Sequence, residues 1–248
     1  AEFAIRPFLV RYPARTMAQL QRWVEDESAH VRRLVSEGTR PRLPWASRLD
    51  AFIVDPAPTL ALLEQLKDDP SPYVRKSVAN HLNDISKDHP QLIVETLARW
   101  REDAGPERQW VIRHALRTLV KQGDPAALAV LGYGPPRVTL ADLHLDPTSI
   151  AVGDTMGISF VLQSESDEEQ DLVIDYIVHF ALASGKTGAK VFKLTTRRLE
   201  AGQSLTLTKS HTFRPITTRK YYHGAHRVEI QVNGQVLGGQ PFQLQVST

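Results

Sequence analysis

Residues 32–45 concentrate the side chains most able to do chemistry. Arg32, Arg33, Arg40 and Arg42 fall within eleven residues, beside the carboxylate of Glu37 and the indole of Trp45. A planar guanidinium pairs with a phosphate through two parallel hydrogen bonds, so a cluster of this density suits a nucleic-acid backbone. The same residues have a second reading, in which Glu37 neutralises its arginine neighbours and Trp45 fills a gap between packed elements. Composition alone leaves both open. Gly38 is read as the C-cap of a helix that carries Arg32 and Arg33. Pro41 and Pro44 then stiffen the loop that leads to Trp45.

Helices must hold these residues. Met17, Leu20 and Trp23 recur at helical spacing, as do Leu60, Leu63 and Leu66, and Ile93, Leu97 and Trp100. Each run ends in acids, at 25–27, 68–69 and 102–103. A second helix follows each, with Val31-Arg32, Val74-Arg75 and Ile112-Arg113 near its start. The arginines stand 43 and 38 residues apart, the length of a HEAT or armadillo unit. Residues 69–75 form the clearest copy: Asp69 closes the turn and Pro72 fits a first helical turn. Arg32, Arg75 and Arg113 share one position of the repeat and are read as braces on the acidic turns. Stacked pairs of this kind predict a curved solenoid with a concave face. Trp23, Trp100 and Trp110 read as core.

The period changes after Gly132-Tyr133-Gly134-Pro135-Pro136. Beyond it the runs 155–162, 172–182, 190–197, 204–213, 227–232 and 242–246 are β-rich, with 138–145 as a further candidate. Asn233-Gly234 between two runs is a hairpin signal. Seven or so short strands predict an immunoglobulin-like β-sandwich, here without the cysteine pair of antibody domains. The expected division is therefore a helical-repeat domain over 1–134 and a β-sandwich over 137–248.

The net charge of +2 points to no partner, whereas its distribution does. Residues 1–136 carry 15 Arg and 4 Lys. Residues 142–175 carry nine acids and no Lys or Arg, and residues 186–227 carry ten Lys or Arg and one acid, Glu200. Cross-strand ion pairs and a phosphate-facing surface both account for that contrast. The absence of cysteine excludes disulfides, thiolate metal sites and a Cys nucleophile, and suits a cytoplasmic protein without requiring one. No run approaches the roughly 18 apolar residues of a membrane span. His223 and His226 have no carboxylate or thiol beside them, so no metal site is read there. Gly153, Gly157 and Gly202 read as turn glycines. The chain begins Ala1-Glu2-Phe3, and a preceding segment is expected.

Three stretches make the sequence resemble a known family. Residues 2–8, residues 30–38 with 40–45, and residues 74–84 are similar to the AlkC branch of the bacterial AlkC/AlkD DNA alkylation-repair glycosylases. The resemblance covers about residues 1–130, and the β-domain is similar to one that some AlkC members carry. It implies a HEAT-like solenoid with duplex DNA on its concave face, and excision of 3-methyladenine and 3-methylcytosine. It implies a lesion reached without a deep flipped-base pocket. The site residues carried over by motif are the carboxylates Glu2, Glu37 and Asp84 and the aromatic Trp45.

The chemistry is consistent with those residue types. An N3-alkylated base is already cationic and leaves readily, while the deoxyribose becomes positive as the bond breaks. Carboxylates and an indole face oppose that charge build-up. Neither a metal nor a cofactor is required, and a monomer is expected. Phosphate contacts are expected from Arg6, Arg11, Arg33, Arg40, Arg42, Lys76 and Arg113, and from Arg214, Arg219 and Lys220 of the β-domain. The rival readings are a non-catalytic DNA-binding HEAT-repeat module and a HEAT scaffold for protein partners.

Overall fold

The computed structural model describes residues 1–217 and 219–246. The chain forms two compact units that divide between Leu119 and Val120. That boundary precedes the glycine- and proline-rich break at 132–136, and Gly123 and Gly134 meet the turn at Asn233-Gly234.

The first unit is helical. Its elements are α1 (Arg6–Arg11), α2 (Pro13–Trp23), α3 (Ala29–Gly38), α4 (Asp50–Val54), α5 (Ala57–Leu66), α6 (Pro72–Ile85), α7 (Pro90–Arg101) and α8 (Pro106–Ala115), followed by α9 (Arg117–Gln122), which crosses the boundary. Proline opens α2, α6, α7 and α8. Its missing N–H is harmless there, since the first turn has no carbonyl to meet it. α3, α6 and α8 pack side by side. Val35, Val74, Val78 and Leu82 are fully buried along their shared seam, and Leu63 and Leu97 seal the second layer. Each buried aliphatic side chain contributes about 1.5–3 kcal/mol.

The repeat is real, but its third copy is shifted by one helical turn. Arg32 donates to the Asp26 and Glu27 carbonyls and forms a bidentate pair with Asp69. Arg75 donates to the Asp69 and Pro70 carbonyls in the same way. In α8 that place belongs to Gln109, whose amide donates to the Ala104 carbonyl at 3.0 Å. Arg108 beside it bridges Asp68 and Asp103. Arg113, expected as the third brace, lies one turn further on and is exposed.

Gly38 is the last residue of α3 rather than an αL cap. A Cβ there would come within 2.6 Å of Ile5 Cγ2, so glycine is required by close approach.

The second unit begins with the end of α9 and α10 (Pro125–Val130), whose first turn is capped by Asp124. The strands β1 (Val138–Asp146), β3 (Thr155–Ser164) and β6 (Ser204–Thr212) form one sheet in the order β1-β3-β6. The other sheet runs β2-β8-β7-β4-β5, from β2 (Ser149–Ala151), β8 (Gln235–Gln245), β7 (Gly224–Val232), β4 (Gln170–Ala181) and β5 (Thr187–Leu199). Inward-facing Ile158, Phe160, Tyr176, Val178, Phe213 and Ile230 share one core between the sheets. This is an immunoglobulin-like sandwich. Asn233 and Gly234 both take positive φ at the β7–β8 hairpin. The Asn233 amide also donates to the Gly134 and Asp171 carbonyls. Gly123 and Gly234 touch backbone to backbone, and a Cβ on either would lie within 2.7 Å of the other.

Of the ion pairs open from the charge contrast, Arg198 joins β5 to the acidic segment through Asp171 and Glu169. Asp175 of β4, opposite Lys193, is 3% exposed, and burial pushes its carboxyl up to about 6. The folded state therefore binds this proton more tightly than the unfolded state. The associated stability is present below about pH 4 and is lost as pH rises through 6. Asp175→Asn is expected to stabilise the β-unit by about 1–3 kcal/mol at pH 8 and by almost nothing at pH 4. Denaturant titrations at the two pH values check this.

Candidate active site

Glu37 sits in the last turn of α3, and Asp84 in the last turn of α6. Both are buried, at 7% and 2% exposure. Arg40 lies between them, with Nη1 2.7 Å from Glu37 and Nε 2.8 Å from Asp84. Two buried carboxylates thus share one buried cation. Two further cations reach them from the rim. Lys87 Nζ lies 3.0 Å from Asp84, and Arg33 Nη2 lies 3.7 Å from Glu37. Arg33 also donates to Glu2 at 3.2 Å and stacks over the Tyr73 ring, 4.7 Å from its centroid. A hydrogen bond to its own backbone N–H and the Arg33 guanidinium hold the Glu2 carboxyl below the usual range. Glu2 is the most accessible of the three carboxylates.

Neighbouring polar groups lock this arrangement. Ser77 of α6 donates to the second oxygen of Glu37 at 2.6 Å. His81, one turn on, is fully buried, and burial pushes its imidazole down to about 3. It is neutral and donates from Nδ1 to the Ser36 carbonyl at 3.0 Å, because a carbonyl only accepts. Its Nε2 has no hydrogen-bond partner among the described residues.

Trp45 stands apart from all packing. It is 98% exposed and takes φ of +67°. A bulky residue in the left-handed region costs on the order of 1–3 kcal/mol, so the surrounding loop must enforce it. Arg6 does so. Its guanidinium donates to the Gly38 carbonyl at 3.0 Å, the Arg40 carbonyl at 2.8 Å and the Ser47 carbonyl at 3.1 Å. These acceptors bracket Trp45 on both sides. Leu43 and Leu49 anchor the loop in the core, and Leu49 N–H bonds the Pro41 carbonyl. The packing role considered for Trp45 is therefore ruled out.

Several expected phosphate contacts have other partners. Arg6 is 2% exposed, and its donors serve the loop carbonyls, so it is a brace and not a phosphate ligand. Arg40 is likewise buried between its carboxylates. Arg42 forms a bidentate pair with Asp88 at the surface. Arg219 lies over the Phe180 ring at 3.9 Å. Arg11, Lys76, Arg113, Arg214 and Lys220 are exposed, and Arg33 is half-buried at the rim. Trp110, expected in the core, is half-exposed and stacks on His114. Ser36, Ser77, His81 and Lys87 were not picked out from the sequence. The polar spacing 77, 81, 84 on the face of α6 that meets α3 is the signal that marks two of them, Ser77 and His81.

The chain thus joins a helical repeat that carries a buried carboxylate cluster and a presented indole to an immunoglobulin-like sandwich. Residues 1–119 match the family described as "DNA alkylation repair enzyme", and residues 139–246 match the C-terminal Ig-like domain of YhaZ. The chain is 45% identical to Pseudomonas fluorescens alkylpurine DNA glycosylase AlkC, whose solved structure holds DNA containing an abasic site analog. That likeness has a TM-score of 0.96 over 99% of this chain and 68% of that one. It is 43% identical over 245 residues to YhaZ of Bacillus subtilis, covering 98% of this chain and 68% of that protein. The chain belongs to the AlkC branch of the DNA alkylation repair family.

Proposed function

We propose that this protein is a DNA glycosylase that hydrolyses the N-glycosidic bond of cationic N3-alkylated bases, 3-methyladenine and 3-methylcytosine, in duplex DNA. The observation that carries the reading is an indole held fully exposed on strained backbone, in the loop that begins at the Glu37–Arg40–Asp84 cluster. Fold stability does not need such a residue, whereas a cationic sugar does.

The base leaves as a neutral molecule, and the positive charge passes to the deoxyribose. Glu37 and Asp84 supply negative charge fixed in advance, and Trp45 supplies the electron-rich face. One carboxylate at about 4 Å, in an effective dielectric of about 20, contributes roughly 4 kcal/mol. Glu2, the most accessible carboxylate, holds the attacking water in this reading. Arg33 and Lys87 mask Glu37 and Asp84 at rest, and both reach the surface. Backbone phosphates compete for these rim cations and leave the carboxylates more negative towards the sugar. Arg11, Lys76 and Arg113, with Arg214 and Lys220 of the β-unit, take further phosphates. Among the described residues, no helix is long and apolar enough to cross a membrane. The protein acts as a monomer at the bacterial nucleoid.

The test is incubation with duplex DNA carrying one 3-methylcytosine, followed by detection of the free base and an alkali-labile abasic strand. Free base and abasic strand in equal amounts support hydrolysis, and cleavage without free base contradicts it. Trp45→Ala is expected to slow release about 5- to 30-fold, the range of one desolvated cation–π contact. Its thermal midpoint is expected to match wild type, because Trp45 packs against nothing. A lowered midpoint with unchanged rate contradicts this role.

A further inference from the structure

The face of α6 that meets α3 carries polar residues at Ser77, His81 and Asp84, and each grips α3 or the loop after it. Ser77 has the most specific geometry. Its Oγ lies 2.6 Å from Glu37 Oε2 and 3.0 Å from Ser36 Oγ. A hydroxyl has one proton to donate. The carboxylate only accepts, and its contact is the shorter, so Ser77 donates to Glu37. Ser77 Oγ then accepts the proton of Ser36. Two buried serines therefore form a directional chain that ends on Glu37. Arg40 holds the other oxygen at 2.7 Å. Among the described residues, Ser77 is the one hydrogen-bond donor to Oε2.

We propose that Ser77, polarised by Ser36, is a positioning residue for base excision. It fixes the rotation of the Glu37 carboxylate about its terminal bond, and with it the direction in which the negative charge faces. Charge stabilisation is effective when the stabilising group need not reorient during bond breaking. With Arg40 alone the carboxylate pivots about a single contact. With Ser77 it is held at both oxygens, from α6 and from the loop after α3. The proposal rests on the glycosylase reading of the site.

A double-mutant cycle tests it. Single-turnover release from duplex DNA carrying one 3-methylcytosine, and Kd for the same DNA, are measured for wild type, Ser77→Ala, Glu37→Gln and the double variant. Ser77→Ala is expected to slow release about 10- to 100-fold, the range for one hydrogen bond to a charged group, with Kd unchanged. In the Glu37→Gln background the same substitution is expected to have no further effect. Equal slowing in both backgrounds shows a general structural role and overturns the proposal. So does an unchanged rate in Ser77→Ala. Wild type that binds the DNA and releases no base overturns the glycosylase reading, and the proposal with it.

Discussion

Glu37→Gln is expected to slow base release about a thousandfold while DNA binding persists. The substitution keeps the shape of the side chain and its acceptor for Arg40, and removes one negative charge. At about 4 Å and an effective dielectric of about 20, that charge contributes roughly 4 kcal/mol, which corresponds to about three powers of ten in rate. The full effect appears only if the charge acts in the transition state and not on bound DNA. Single-turnover rates beside binding isotherms separate the two. A parallel loss of rate and affinity contradicts a charge acting on the sugar. It points instead to a carboxylate that organises the DNA-binding surface.

Arg40→Met is expected to have the largest effect on stability. Arg40 is the buried counterion of two buried carboxylates, at 2.7 and 2.8 Å. Removing one member of such a set leaves uncompensated buried charge, which costs about 3–5 kcal/mol. For a helical unit of this size the thermal midpoint falls by roughly 10–20 °C. Arg42→Met provides the contrast. Its pair with Asp88 is also bidentate but lies at the surface, where an ion pair contributes about 0–1 kcal/mol. Differential scanning calorimetry of the two variants distinguishes the cases. Equal midpoints show that Arg40 is not the central counterion of the site.

Periodicity made most of the architecture legible. The three helix pairs and the strand-rich half appear where spacing of 3.6 and of 2 places them, since both patterns are local. Motif resemblance singled out Glu37 and Asp84, which the fold brings together on Arg40, but it names residue types without their contacts. What escaped was non-local. Nothing in residues 2–8 distinguishes an arginine that meets phosphate from one that meets three carbonyls more than thirty positions away, as Arg6 does. Arg40 read as another member of a cationic cluster, because its partner Asp84 lies 44 residues on. The third repeat was misplaced for a different reason. Ile112-Arg113 mimics the Val-Arg pair at a plausible interval, but Pro106 sets the start of α8 and gives the equivalent place to Gln109. Ser77 is a small polar residue mid-helix, and only its distance to Glu37 gives it meaning.

The two halves of the site work by the same means. Arg6 fixes the loop that presents Trp45, and Ser77 and Arg40 fix Glu37. In the proposed reaction each of these groups is fixed by a buried partner, so it need not reorient during bond breaking.

Comparing release of a cationic base with release of a neutral isostere tests the central claim most directly. One duplex carries 3-methyladenine and the other a neutral deaza analogue of the same shape, and both are assayed under single-turnover conditions with binding measured alongside. Release of the cationic base, with the neutral analogue bound but retained, is the result that a site built to stabilise charge on the sugar predicts. Equal release of both contradicts the mechanism, and release of neither by a protein that binds both leaves a DNA-binding module without catalysis.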